Sequence, residues 1–252
     1  MRPIRKPPTL RVQLQDLLLM ELTNWRWSWQ STMLTSMVAP ILGIVALGSI
    51  ASTSQDTNAY ILTGNLVMSL MFGNLNNLAS RFTFMRFAGN LDYYATLPIR
   101  REALIIATVI SFFLLSLPSL LVTVIFGALF LKIHLVINPL ILLVVPLCVL
   151  PLAGLGAVIG VYSRTISESD SLSLLLTMVM LFIGPVLIPA NRLPSLLLSL
   201  GYLSPATYGA SALRQTLLAP VTQRFFLDII ALLAFTLITF WFTVTKLDWR
   251  QS

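Results

Sequence analysis

Apolar runs of roughly 20 residues, the length that crosses a bilayer, recur along this chain at residues 29–50, 59–80, 103–131, 139–162, 171–188 and 225–245. They predict an all-α integral membrane protein with six transmembrane helices. Composition agrees: 57% of residues are hydrophobic and only 10% are charged. The mean hydropathy is +0.88. A soluble domain carries about 25% charged residues, so this supply cannot build a water-facing surface. The net charge of +7 would suggest nucleic acid in a soluble chain. Here it reads as Lys and Arg gathered on the cytoplasmic side, and no nucleic-acid partner is expected. The single cysteine, Cys148, excludes an internal disulfide or a cysteine metal cluster.

In chain order, residues 1–8 are basic and proline-rich. Residues 9–23 place Leu10, Leu14, Leu17, Leu18 and Glu21 at helical spacing, with Arg11, Gln15 and Asp16 off that face. The pattern predicts an amphipathic helix lying in the interface. Trp25, Trp27 and Trp29 follow as an aromatic belt. No small-residue cleavage site follows the first apolar run, so a secretory signal is not expected. Residues 52–58 and 132–138 are short outer loops, Pro118 marks a bend in the third span, and Ser163–Asp170 is a cytoplasmic loop holding Arg164, Glu168 and Asp170. With both termini inside, the cytoplasmic side collects Arg2, Arg5, Lys6, Arg11, Arg26, Arg81, Arg86, Arg100, Arg101, Arg164, Lys246 and Arg250. Only Lys132, Arg192, Arg214 and Arg224 remain outside, the asymmetry the positive-inside rule requires. The segment 189–220 is too apolar for a solvated loop, yet Pro194, Gly201, Pro205 and Gly209 cut it into pieces too short to cross. It reads as two short re-entrant helices in the outer leaflet.

Between the second and third spans lies the longest polar interruption, Phe87–Glu102. Gly89 can end the preceding helix, Asn90 or Asp92 can cap a short new one, and Pro98 stops it. A further helix then opens with Glu102 in its first turn, where a carboxylate suits the dipole. A short helix across two spans on the arginine-rich side suits docking of a cytoplasmic partner. The plainer reading is juxtamembrane arginines with interfacial tyrosines.

Two groups of residues carry a resemblance. Pro189-Ala190-Asn191-Arg192-Leu193-Pro194 is followed by Leu203-Ser204-Pro205-Ala206-Thr207-Tyr208, then by Ala212-Leu213-Arg214 and Leu217-Leu218. The polar interruption supplies Gly89, Leu91, Tyr94, Thr96-Leu97-Pro98, Arg101 and Leu104. In this order they resemble type 2 ABC transporter permeases over nearly the whole length, with Ser204 where that pattern usually has Asn. The resemblance implies a single transmembrane permease domain over residues 1–252, in the inner or plasma membrane, paired with a second copy or a paralogue. Export would be powered by separate ATP-binding-cassette subunits, which carry the ATP and Mg; this chain itself holds no cofactor and is not an enzyme. In keeping with that, the sequence has no Gly-x-x-x-x-Gly-Lys-[Ser/Thr] loop, and Lys6, Lys132 and Lys246 lack a glycine-rich setting. On this resemblance the short helix couples to the ATPase, with Leu91, Tyr93 and Tyr94 as packing anchors and Asp92, Arg100, Arg101 and Glu102 as polar contacts.

For the translocation path, Asn65, Ser69, Gly73, Asn76 and Ser80 recur every three or four residues and predict one polar face on the second span. Ser28, Thr32 and Thr35 on the first span and Ser173 and Thr177 on the fifth are further candidates. Such residues line a cavity between subunits or serve as helix-to-helix glue. No ionisable residue is centred in a span, which argues against a proton relay. His134 sits at an outer turn and is not a convincing metal ligand or base. Gly156 and Gly160 read as close helix packing, and Arg192 and Arg214 as side chains that snorkel to outer headgroups, the favoured reading, or meet an anionic substrate. The alternatives are weaker. A secondary carrier or a flippase not powered by ATP would show internal repeats and a midplane ion site. A membrane-embedded enzyme needs a cluster of His, Asp or Glu at depth.

Overall fold

The computed structural model describes residues 9–24, 29–50, 55–97, 99–218 and 220–246. These residues form helices and their connections, with no strand among them. Trp25, Trp27, Ser28 and Pro98 lie outside the described residues, as do the first eight and the last six. Helix α1 (Leu10–Asn24) precedes α2 (Trp29–Ile50), and α6 (Arg101–Leu131), α7 (Ile141–Tyr162), α8 (Ile166–Ile183) and α11 (Gln223–Lys246) follow later in the chain. Five of these, α2, α6, α7, α8 and α11, are long and apolar enough to cross a membrane.

The apolar run at 59–80 has a different build. Helix α3 (Gln55–Leu70) passes through a π-helical turn, Met71–Asn76, into α4 (Asn77–Phe87). Leu70 and Asn77 both keep right-handed helical torsions, so the helix does not break. The side-chain amide of Asn74 donates to the Leu70 carbonyl (3.1 Å) and that of Asn77 to the Gly73 carbonyl (3.1 Å). Such side-chain competition for i−4 carbonyls is a recognised cause of an interrupted ladder. At 1.5 Å per residue, residues 55–87 extend about 50 Å, well beyond the roughly 30 Å hydrocarbon core. The helix is therefore longer than a bilayer crossing requires, and Arg81 and Arg86 lie in its last two turns.

Helix α8 begins at Ile166 rather than Ser171, because Thr165 and Glu168 cap it. The Thr165 hydroxyl accepts from the Glu168 backbone N–H (3.1 Å), and the Glu168 carboxylate accepts from the Arg164 N–H (2.7 Å). This is a capping box displaced by one residue. Glu168 and Asp170, expected on a loop, thus lie at the start of a helix, where their charge suits the dipole.

Helix α7 is the axis of the packing. A Cβ on Gly156 would lie 2.3 Å from the Leu75 carbonyl oxygen, and one on Gly160 would lie 2.6 Å from that of Ala79. The π turn and α4 therefore press backbone to backbone on α7, as its small-residue spacing suggests. Thr83 adds a hydroxyl bond to the Gly160 carbonyl (3.1 Å). Leu62, Leu66, Leu70, Leu75, Phe82, Phe112 and Leu152 fill the surrounding core.

The segment after α8 folds back into the bundle. It holds a short 3₁₀ turn (Ala190–Arg192), α9 (Ser195–Gly201) and α10 (Pro205–Leu217). The Val186 carbonyl oxygen lies 2.6 Å from a Cβ built on Gly64, about 14 Å along α3 from its first residue. Gly209 of α10 faces Cys148 and Val67, and the α10 end pairs with the α6–α7 connection. There the Val136 and Asn138 N–H groups donate to the carbonyls of Leu217 (2.8 Å) and Thr216 (2.9 Å).

Candidate functional site

The junction between α1, the foot of α4, and a short helix α5 (Asn90–Thr96) is built from a few buried polar contacts. On α1 the buried stripe is Gln13, Leu17 and Glu21, four residues apart. Leu10, expected on that face, is exposed, and Gln13 takes its place because its amide has work to do. The Gln13 Oε1 accepts from the Arg100 backbone N–H (3.1 Å), at the point where α6 starts. Glu21, 0% exposed, pairs with Arg81 at 2.9 Å. One Glu21 oxygen and the Arg81 Nε have no hydrogen-bond partner.

Gly89, in the left-handed region at φ 70°, turns the chain between α4 and α5. Helix α5 then lies against α1 through Tyr94, which is buried (6% exposed) and donates its hydroxyl to the Met20 sulfur (3.7 Å). Burial, and next the Glu21 carboxylate, push the Tyr94 phenol above its ordinary value, so it stays a donor. Its neighbour Tyr93 is 63% exposed. Leu91 and Asp92 belong to α5, but their side chains lie outside the described residues. Arg100, Arg101 and Glu102 are exposed around the start of α6. Between α1 and α5 opens a cavity of about 810 Å³ lined by Asp16, Met20, Thr23, Arg81, Asn90 and Tyr93 among others. Arg86, anticipated only as a cytoplasmic charge, donates to the carbonyls of Val161 and Ser163 and so caps the end of α7.

The polar stripe of the 55–87 helix does not form one face. A π turn carries an extra residue, which rotates everything beyond it by about 100° relative to an unbroken α-helix. Before the turn, Asn65 and Ser69 are buried, and Asn65 packs on Gly43 of α2. At its last residue, Asn76 faces α8 and accepts from the Thr177 hydroxyl (3.3 Å). Ser173 is buried one turn earlier on α8. Thr32 and Thr35 sit near the start of α2, with Thr35 exposed. The candidate path residues thus fall into two sets on opposite sides of the π turn.

Two charged residues occupy unexpected places. Arg214 does not snorkel. Its guanidinium lies 3.4 Å over the Tyr60 ring and donates to the Thr63 hydroxyl (3.3 Å), tying α10 to α3. Asp228, within the sixth apolar run, is 1% exposed in the second turn of α11. It accepts from Ser211 (2.6 Å) and Gln215 (3.1 Å), both on α10. Gln215 in turn accepts from the Thr222 N–H (3.0 Å) and hydroxyl (2.8 Å). The sequence offered one signal for this site, a lone carboxylate inside a long apolar run, which is by default functional or bonded.

Comparison with protein families matches the chain to the family model described as ABC-2 type transporter over residues 12–218. Comparison with curated proteins finds no match.

Proposed function

Because this chain belongs to the ABC-2 type transporter family, we propose that it is the transmembrane permease subunit of an ATP-driven exporter, coupled through α5 to a separate ATP-binding subunit. It is a membrane permease component with several apolar helices. The finer reading takes residues 55–87 as the second of six spans, with both termini in the cytoplasm and α9 and α10 re-entrant from the outer side. Two copies, or this chain and a paralogue, enclose the path. ATP and Mg reside on the partner.

One observation carries the coupling role. Helix α5 rests on α1 through the Tyr94–Met20 contact, and α1 is itself tied to α4 by Glu21–Arg81 and to the start of α6 by Gln13. A push on α5 is thus passed through α1 to α4 and α6, while the exposed Tyr93, at the cavity between α1 and α5, is available to a partner. Asp92, Arg100, Arg101 and Glu102 supply polar contacts around it.

The test is co-purification of the ATP-binding subunit with the tagged permease. Deleting residues 90–96 should abolish association, and Tyr93→Ala should weaken it. Asp92→Arg should leave membrane insertion intact and uncouple hydrolysis from transport. Undiminished substrate-stimulated hydrolysis in Asp92→Arg counts against the assignment.

A further inference from the structure

A groove of about 240 Å³ runs between α6, α7 and α11, lined by Ile105, Val109, Ala157, Thr236, Thr239 and Thr243 among others. Three threonines would normally make such a groove polar. Each hydroxyl instead donates to a carbonyl of its own helix: Thr236 to Leu232 (2.7 Å), Thr239 to Phe235 (2.9 Å) and Thr243 to Thr239 (2.8 Å). The hydroxyls are thus satisfied within α11, the accessible lining of the groove is apolar, and its residues Ile110 and Leu150 are each 38% exposed. An apolar cavity of about 150 Å³ accommodates a benzene ring, so this groove has room for a stretch of alkyl chain.

One end of the groove lies close to the membrane surface. Ile105 is one turn into α6, and Thr243 is three residues before the end of α11. Arg101, Ile105 and Val109 follow at intervals of four and share an edge of α6, which sets a guanidinium in line with the apolar channel. Glu102 is its neighbour and Arg100 precedes it. Basic residues at this level attract anionic lipid.

We propose that this groove binds one acyl chain of an anionic phospholipid, with Arg101 engaging the headgroup phosphate. The cytoplasmic leaflet as its source rests on the orientation proposed above. The binding itself is tested in purified protein, where sidedness does not enter.

The full chain is reconstituted in nanodiscs containing phosphatidylglycerol with a photoactivatable acyl chain, and adducts are mapped by mass spectrometry. Adducts are expected on Ile106, Ile110, Leu150 and Phe240 in excess over Leu121, Ile125 and Leu129, which are exposed farther along α6. Thr236→Trp and Ile110→Trp fill the groove from opposite sides, and each should remove the excess; if one fails to fold, the other decides. Arg101→Gln should lower labelling by phosphatidylglycerol relative to phosphatidylcholine about fivefold. Even labelling of all bilayer-facing residues, or labelling that survives in a folded tryptophan variant, would overturn the proposal. Loss of the ATP-binding subunit bears on the function above and leaves this labelling unchanged.

Discussion

Glu21 gives up all contact with water to meet Arg81, while one of its oxygens goes without a hydrogen bond. Breaking such a buried pair from one side strands the other charge, at a cost of about 3–5 kcal/mol. Glu21→Ala and Arg81→Ala should each sharply lower the melting midpoint in detergent. Replacing both by leucine should recover much of the loss, since the desolvation cost disappears with the charges. Equal and additive losses in the double variant would mean that the two side chains do not depend on each other. Asp228 poses the same question at the other end of the molecule. Asp228→Ala leaves the Ser211 and Gln215 donors buried without an acceptor, costing about 1–3 kcal/mol. Asp228→Asn keeps an acceptor oxygen and should cost less, as thermal unfolding will measure.

Among the elements, α7 and the 55–87 helix tolerate least. A side chain at Gly156 meets a backbone oxygen that has no freedom to retreat, so Gly156→Leu should prevent recovery of monodisperse protein. At Gly89 a Cβ meets nothing within 4 Å. Gly89→Ala should cost only the left-handed backbone conformation, about 1–2 kcal/mol, and should leave insertion intact. The yields of the two variants side by side test this contrast. Most of these elements were legible beforehand, since apolar length and helical period mark α2, α6, α7 and α11, and Gly89 announces α5. The π turn was not. The asparagine amides at 74 and 77 reach the same carbonyls as the backbone there, but Asn65 does so at Ile61 without interrupting α3. No local pattern therefore singles out the turn, and a reading that assumes 3.6 residues per turn strings Asn65 to Ser80 into a single face. The early start of α8 was legible in principle, because Thr165 and Glu168 stand at capping-box spacing.

For the whole molecule, the proposed orientation is tested by cysteine accessibility. Cys148 is buried and donates its thiol to the Gly209 carbonyl (3.8 Å), an acceptor a serine hydroxyl can also use, so a Cys148→Ser background is expected to fold. In that background His134→Cys should react with an impermeant maleimide from outside the cell, and Asp170→Cys only after the membrane is opened. The reverse pattern would invert the topology and remove α5 from the ATPase. Charge asymmetry carries the expected orientation, and the broken apolar stretch at 189–220 carries the expectation that α9 and α10 are re-entrant. The anchoring of α10 through Arg214 and Asp228 depends on contacts between distant segments, which no local pattern reveals. The surplus residue in the π turn has one more implication. Deleting a single residue from 71–76 would heal the helical ladder while throwing the third beyond it out of phase, pulling Arg81 off Glu21 and Thr83 off Gly160 with neither pair itself altered. The two halves of this helix are thus clocked to one another by one amino acid, and a frame-preserving loss there should disable more than a substitution at either end.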